Sequence, residues 1–490
     1  MKPRFLVLPA SIALLAGCAV GPNYRRPALD VPARYGESAL WHPARPQDAV
    51  PRGSWWTVYR DPYLDRLMRR LQISNQTIRQ AEAQYRASEA LVQAARAAYF
   101  PTIDANAAST RSHVSALRGG SGATRTPQGV ASTLDSATLD ASWEPDLWGR
   151  LRREAENARE NSRASAADLE SARLSAQAAL ALDYFQLRVT DEEVRLYRRN
   201  VAALAASLQI TRNQLAAGVA SPADVAQAQT QLQSTRAAAI DLRIQRAQLQ
   251  HAIAVLIGVP PARFSLAPAP FAAIVPAIPG GVPSDLIERR PDVAAAERRV
   301  AAANANIGVA EAAYFPQLTL AGTIGYEAAA WRGLLSVANR VWSVGPSVAL
   351  NLFDGGARRA ATREARANYD ASVAAYRETV LGAFQGVEDD LAALGVLGEE
   401  LQVQDAATRA ADEAERIALN QYKSGLTSYL SVVVAQSAAL ANERASLAIR
   451  GRRITASIAL IKDLGGGWDQ RAPPPVRGGP PAGTTVTPTP

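Results

Sequence analysis

One cysteine, three histidines and 45 acidic side chains are the groups in this 490-residue chain that could act as nucleophiles, metal ligands or proton carriers. A metal site or a catalytic base needs several of them at short, fixed spacings. His42, His113 and His251 stand far apart, so no multi-histidine motif forms, and neither a metal nor a cofactor is expected. The Asp and Glu residues are spread over what read as helix surfaces. No phosphate-binding glycine loop and no Gly-x-Ser-x-Gly elbow occurs. Gly465-Gly466-Gly467 precedes no helix and reads as a terminator. The chain is therefore not expected to be an enzyme. The one residue placed for covalent chemistry is Cys18, and a lone thiol excludes a disulfide framework.

The setting of Cys18 says which chemistry that is. Lys2 and Arg4 form a positive n-region, Phe5 to Ala16 a short apolar run, and Leu15-Ala16-Gly17 lead into the cysteine. The run is too short to span a bilayer, so residues 1–17 are expected to be a cleaved export signal. The Leu-Ala-Gly-Cys ending resembles a bacterial lipobox. That resemblance implies a covalent lipid on Cys18, and Ala19 in place of Asp implies the outer membrane. One acyl set anchors a protein to lipid but does not cross it.

Composition indicates the elements that follow. Hydrophobic residues make up 48% but aromatics only 6%, because the apolar share is mostly alanine, a strong helix former of little bulk. Long, closely packed helices suit this better than thick aromatic cores. The net charge is 53 − 45 = +8, and loss of Lys2 and Arg4 with the signal leaves +6. The cations are scattered over Ala/Gln-rich stretches, so no nucleic-acid partner is expected. No later stretch holds 18 consecutive apolar residues. If the chain spans a membrane, it must do so as a closed β-barrel.

The mature chain reads as two related halves. Ala98-Tyr99-Phe100-Pro101 is matched by Ala313-Tyr314-Phe315-Pro316, an offset of 215. Asn213 to Gly218 parallels Asn420 to Gly425, an offset of 207, and Ala228-Gln229 matches Ala435-Gln436. An insertion in a first-half loop would account for the difference. Each half is expected to hold a helix of about 35 residues starting near Pro62 or Pro291, two strands, a very long helix, a glycine turn and a returning helix. The long helices are placed at 150–216 and 357–423; at about 1.5 Å per residue each would reach on the order of 100 Å. The expected organisation is a signal at 1–17, an anchored extended segment at 18–61, a first repeat at 62–258, a linker at 259–284, a second repeat at 285–464 and a disordered tail at 465–490.

Four stretches alternate with period two. They are 102–113, 134–143, 317–327 and 341–353. Ala137, Leu139, Ala141 and Trp143 alternate with Ser136, Thr138, Asp140 and Ser142; Leu318, Leu320, Ile324 and Tyr326 alternate with Gln317, Thr319 and Thr323. Trp342, Val344, Val348, Leu350 and Leu352 alternate with Ser343, Gly345, Ser347 and Asn351, and a weaker set holds Ile103, Ala105 and Ala107. Such stretches of about ten residues fit tilted membrane strands. Phe100, Trp143, Phe315 and Trp342 stand near their ends, as membrane-interface aromatics do. The polar stretch 114–133 suits an external loop. Four strands cannot close a membrane barrel, since the smallest have about eight. Either the strands belong to a soluble domain or several copies share one barrel.

At these residues the chain resembles TolC-like outer-membrane factors, in the lipoprotein branch that serves resistance–nodulation–division efflux systems. The resemblance rests on Gly21-Pro22-Asn23-Tyr24, Trp55-Trp56, Arg60-Asp61-Pro62, Trp143 to Arg150 (Trp-Glu-Pro-Asp-Leu-Trp-Gly-Arg), Pro283-Ser284-Asp285-Leu286 and Arg289-Arg290-Pro291-Asp292-Val293, in this order. It implies a mainly α fold with a β-barrel contribution: a homotrimer in which four transmembrane strands per protomer close a 12-stranded barrel, continued by a long α-helical barrel. It also implies three kinds of partner: a periplasmic adaptor (membrane fusion) protein, an inner-membrane resistance–nodulation–division transporter, and outer-membrane lipid.

The same resemblance points to the two helical turns as a periplasmic gate. Gly218, Val219, Gly425 and Leu426 would meet the adaptor. Ser221 can cap the returning helix with Asp224 in a capping box, and Asp224 would also lie near the constriction. An acidic pore ring is implied at the second turn, but this chain has Val434 before Ala435-Gln436 and Ser431 one turn earlier. Thr427 stands where some relatives place a basic residue. Val434 can instead form an apolar constriction that gates by dewetting, and weaker cation selectivity than in acidic-ring relatives is expected. Three other readings compete: a duct for secreted polypeptides, a lipid-anchored coiled-coil scaffold without a pore, and a lipid-anchored enzyme. The scaffold leaves the four strands unexplained, and the enzyme has no candidate residues.

Overall fold

A computed structural model of the chain describes residues 19–29, 36, 54–114, 130–272, 275–276 and 290–466. The expected signal, Cys18, His42, loop residues 115–129 and tail residues 467–490 lie outside the described residues.

The elements run α1 (Pro62–Ser74), α2 (Gln76–Ala97), β1 (Thr102–Val114), β2 (Val130–Trp143), α3 (Arg150–Ala216), α4 (Pro222–Leu256), α5 (Pro291–Ala312), β3 (Gln317–Ala328), β4 (Arg340–Ala349), α6 (Ala357–Lys423) and α7 (Tyr429–Asp463). The duplication is visible in the lengths. Helices α2 and α5 have 22 residues each, α3 and α6 have 67, and α4 and α7 have 35. From 76 to 291 the offset is 215 and from 150 to 357 it is 207, so eight extra residues fall between α2 and α3.

The expected 35-residue opening helix is not continuous. Its first-half version breaks at Asn75, whose backbone is extended (φ −64°, ψ 127°). There the Asn75 side chain accepts from Ile78 N at 2.9 Å, capping α2, and donates to the Leu256 carbonyl at 2.7 Å. The second-half version is simply 22 residues long, because Phe315-Pro316 follows closely after Pro291. Among the described residues the matched repeat therefore begins at Gln76 in the first half and at Pro291 in the second. The long helices lie over their expected spans. Helix α3 contains neither Gly nor Pro, whereas α6 carries Gly382, Gly386, Gly395 and Gly398. At Gly386 a Cβ would overlap the Asp463 carboxylate, so a larger residue there would have to displace that side chain.

The described chain forms two compact units. One takes the N-terminal residues to Pro27, Arg86–Arg163 and Glu297–Ala375, and contains the sheet. The other takes the remainder, and has an apolar core in which Trp55, Trp56, Leu64, Met68 and Leu71 pack on Leu180, Tyr184, Phe185, Ile253 and Ile458. Burying one such side chain contributes about 1.5–3 kcal/mol.

The short motifs within the described residues sit at junctions, whereas Pro283-Ser284-Asp285-Leu286 and Arg289 lie outside those residues. In the second unit Asp61 caps α1 by accepting from Tyr63 N and Leu64 N, and takes the Tyr184 hydroxyl at 2.6 Å. Trp55 donates to Gln177 at 2.9 Å. Arg290 pairs with Asp292 at 2.7 Å and donates to the Asp463 carbonyl at 3.0 Å, covering the end of α7. In the first unit Asp146 accepts from Leu151 N and Arg152 N, capping α3.

Candidate functional sites: the helical turns and the sheet faces

Helices α3 and α6 end in the same way. After α3, Gly218 (φ +75°) donates to the Leu215 carbonyl and Val219 to that of Gln214, at 3.0 and 2.8 Å. After α6, Gly425 (φ +73°) donates to Tyr422 and Leu426 to Gln421, again at 3.0 and 2.8 Å. Both are Schellman turns, in which the left-handed position favours glycine. The residues after the glycines, Val219 and Leu426, are 69% and 79% exposed. Behind the turns all four helices share one apolar cluster: Leu204 and Leu208 of α3, Leu232 of α4, Tyr422 of α6, and Tyr429 and Val432 of α7. The Tyr422 and Tyr429 rings lie 5.3 Å apart.

Asp224 is engaged at this place. Its carboxylate accepts from Ser221 N at 2.9 Å and from the Ser221 hydroxyl at 2.8 Å, while Asp224 N donates to that hydroxyl at 3.2 Å. The reciprocal bonds form a capping box. The carboxylate charge still reaches the tyrosines. Burial pushes the Tyr429 hydroxyl up to about 12, with Tyr422 and Asp224 adding to the rise. On α7, Ser431 is exposed and accepts from the Thr427 hydroxyl at 3.0 Å, a neutral link at the second turn. Val434 is 61% exposed although Val432 and Val433 are buried. Leu430, one turn before, is 57% exposed. The two form an apolar strip along one face of α7, and Leu430 is a residue the sequence reading missed. Its i, i+4 spacing to Val434 was the available signal.

In the other unit the strands form one antiparallel sheet in the order β1-β2-β3-β4. Register joins the alternating sets. Ala105 pairs with Leu139, Leu139 with Ile324 and Ile324 with Trp342; in the next row Ile103, Ala141, Gly322 and Val344 are partners. Cross-strand partners share a face. One face is therefore apolar across all four strands, and its Ile103, Leu139, Ile324, Val344 and Val348 are exposed. The other face carries Asp104, Asn106, Thr138, Asp140, Thr319, Thr323, Ser343 and Ser347. Asp140 faces Asp104 and accepts from Asn106, Thr138 and Thr323 at 2.7, 3.1 and 2.6 Å. With Glu327 these carboxylates make the polar face acidic, and no Lys or Arg lies on it among the described strand residues.

Two strand bounds differ from expectation by more than one residue. Strand β2 starts at Val130 and not 134; Asp135, which the pairing puts on the apolar face, is 2% exposed and satisfied by the Ser109 hydroxyl at 2.5 Å. Strand β4 spans Arg340–Ala349, so Leu350, Leu352 and Phe353 lie beyond it. Asn351 and Asp354 there accept backbone N–H groups of Phe353 and Gly356, turning the chain out of the sheet.

The four aromatics do not make two equal belts. Phe100, Trp143 and Phe315 gather where β1 and β3 begin, and the Trp143 indole donates to the Tyr99 carbonyl at 2.9 Å. Phe315 stacks on Trp148 at 4.9 Å. Trp342, 69% exposed, stands towards the other end, four rows from Trp143, or about 13 Å along the strands. In the connection after β3, Trp331, Leu335 and Val337 are exposed as well, which the strand-based reading missed.

Cys18 lies outside the described residues, but the chain just after it is held firmly. Val20 N donates to the Trp148 carbonyl at 3.0 Å. Arg153 donates to the carbonyls of Val20 and Gly21 and to Asn23, at 3.2, 3.1 and 3.0 Å. Tyr24 donates to Glu297 at 3.1 Å. Gly21 meets Gly308 so closely that a Cβ on Gly21 would overlap it. The Gly-Pro-Asn-Tyr motif thus fixes Ala19 beside Gly149, at the corner between β2 and α3.

A sequence profile described as outer membrane efflux protein matches residues 67–259 and 282–466. The outer membrane protein OprJ of Pseudomonas aeruginosa is 32% identical over 473 residues, covering 96% of this chain and 97% of its own. The probable efflux pump outer membrane protein TtgC of Pseudomonas putida is 31% identical over 471 residues, covering 96% of each. Among solved structures, the outer-membrane channel OprN superposes with a TM-score of 0.85 at 33% identity, over 92% of this chain and all of that one (100%).

Proposed function

Because the chain belongs to the outer membrane efflux protein family, we propose that three copies share one 12-stranded barrel and form the exit duct of a tripartite pump that expels drugs and other small toxic compounds. The chain is an outer-membrane efflux channel protein of a Gram-negative bacterium. The observation that carries the proposal is the sheet. Its apolar face crosses all four strands in the rows of Leu139 and Ala141, while β1 and β4 leave two unpaired edges. Lipid cannot satisfy an open edge, and four strands are about half the smallest membrane barrel. Alternating strand directions let β4 of one copy pair antiparallel with β1 of the next, so the sheet closes only by repetition. The choice of three rests on the family.

In this reading the polar face lines the lumen and the apolar face meets lipid, with Phe100, Trp143, Phe315 and Trp342 at the interfaces. A lipid on Cys18 would anchor beside the Trp148 corner. The Schellman turns carrying Val219 and Leu426 dock a periplasmic adaptor, which links the duct to an inner-membrane resistance–nodulation–division transporter. Asp224, Ser431 and Val434 line the constriction, with Asp224 held as a cap and Val434 supplying the apolar part. No catalytic step is involved. The test is drug susceptibility after deletion, with complementation by the wild type and by Cys18→Ser. Hypersensitivity restored by the wild type, together with loss of lipid labelling in Cys18→Ser, is expected. Unchanged susceptibility combined with loss of a secreted polypeptide would overturn the drug-efflux reading.

A further inference from the structure

The segment between the repeats is tied down over residues 264–271. Helix α4 holds it through Arg246, which donates to the Leu266 carbonyl at 2.6 Å, and Gln250, which donates to that of Phe264 at 2.9 Å. Helix α3 holds it through Arg188, which donates to the Ala267 carbonyl at 2.9 Å, and Asp191, which accepts from Ala269 N at 3.2 Å. Between this strap and the two helices lies a cleft of about 520 Å³.

Four guanidinium groups line the cleft: Arg195 and Arg198 from α3, Arg243 and Arg246 from α4. The one acidic residue among the lining side chains is Asp191, and both its oxygens are taken, by Arg246 at 2.7 Å and Arg188 at 2.8 Å. Arg195 pairs with Glu192 at 3.1 Å. Arg198 and Arg243 are exposed and have no hydrogen-bond or ion-pair partner among the described residues. Two uncompensated cations from two helices therefore share one concavity, where their fields add. Guanidinium forks match carboxylate and phosphate oxygens in pairs, and the strap fixes the walls in advance of binding.

The geometry points to an anion-binding cleft in which Arg198 and Arg243, with Arg195 beside them, take a ligand bearing two neighbouring phosphate or carboxylate groups. The cleft is a separate feature from the turns and the sheet, and its role does not depend on what the duct exports. Its volume suits a small polyvalent anion.

Titration calorimetry on the full chain, purified in a non-ionic detergent, tests it with inorganic pyrophosphate and with citrate as probes. Saturable binding at one site per chain is expected for at least one probe, weakening as salt is raised. Binding of pyrophosphate alone identifies a phosphate ligand; binding of citrate alone identifies a carboxylate ligand. The double variant Arg198→Gln, Arg243→Gln should bind at least tenfold more weakly, and Arg243→Gln alone several-fold, with unchanged helical circular dichroism. The control pair Arg212→Gln, Arg236→Gln removes the same charge from the same two helices and should bind as the wild type does. Absence of saturable binding, or equal weakening by both pairs, overturns the proposal.

Discussion

Asp390 on α6 is a carboxyl in the wrong place for a charge. Its Oδ2 is buried with no hydrogen-bond partner among the described residues. Burial, with the charges of Asp463 and Asp389 outweighing Lys462, pushes it from its ordinary 3.8 up to about 7. Asp463 itself is held by Arg290 at 3.3 Å. The folded chain thus keeps a proton that the unfolded chain releases near 3.8. Stability from this group is full below that value and is lost as pH rises through about 7. Asp390→Asn is expected to change little below pH 4 and to stabilise by on the order of 1 kcal/mol at pH 8, a figure discounted because the group is half exposed. Chaotrope unfolding at the two pH values measures this. The turn residues give a second prediction. Val434 and Ser431 leave the second turn without an acidic side chain, while Asp104, Asp140 and Glu327 sit on the polar sheet face. Reversal potentials in a salt gradient should show modest cation preference. Neutralising Asp104 and Asp140 with Asn should reduce it, and Val434→Ala should leave it unchanged. Strong selectivity abolished by Val434→Ala would contradict this.

At the scale of elements, the sheet register makes a sharp distinction between neighbours. Val344 lies on the apolar face and Ser343 on the polar one. An arginine in place of Val344 would meet lipid, at a cost of about 2–4 kcal/mol near the bilayer midplane. Val344→Arg should therefore sharply reduce the assembled form recovered from outer membranes, and Ser343→Arg should not; similar losses for both would refute the face assignment. The long helices were legible in the sequence because their ends are chemically marked. Gly149 and Gly356 take positive φ just before them, and Gly218 and Gly425 just after. The break at Asn75 was not legible, because one Asn in a polar helix reads as surface. It breaks the helix because α4 offers the Leu256 carbonyl to its amide, and that carbonyl belongs to a residue 181 positions away. The strands show the same division. Alternation identified the apolar set of each strand, but only the pairing of Leu139 with Ile324 and Ile324 with Trp342 merges four sets into one surface. Strand β4 reads longer in the sequence than it is because Leu350 and Leu352 keep the alternation although the strand ends at Ala349 and Asn351 accepts from Phe353 N in the turn that follows. Asp224 was legible as a cap from Ser-Pro-Ala-Asp alone, since its bonds span only three residues.

For the whole molecule, the claim is that a single chain is incomplete. Duplication has supplied matched helices of 67 and 35 residues twice over, and two hairpins that merge into one four-stranded sheet. That sheet exposes an apolar face and two open edges, which one copy cannot resolve in lipid. The most direct measurement is native mass spectrometry of the wild-type complex extracted from outer membranes in mild detergent. A species of three chains, converted to single chains only on heating, is expected. A folded species of one or two chains that still forms conducting channels would contradict the shared barrel.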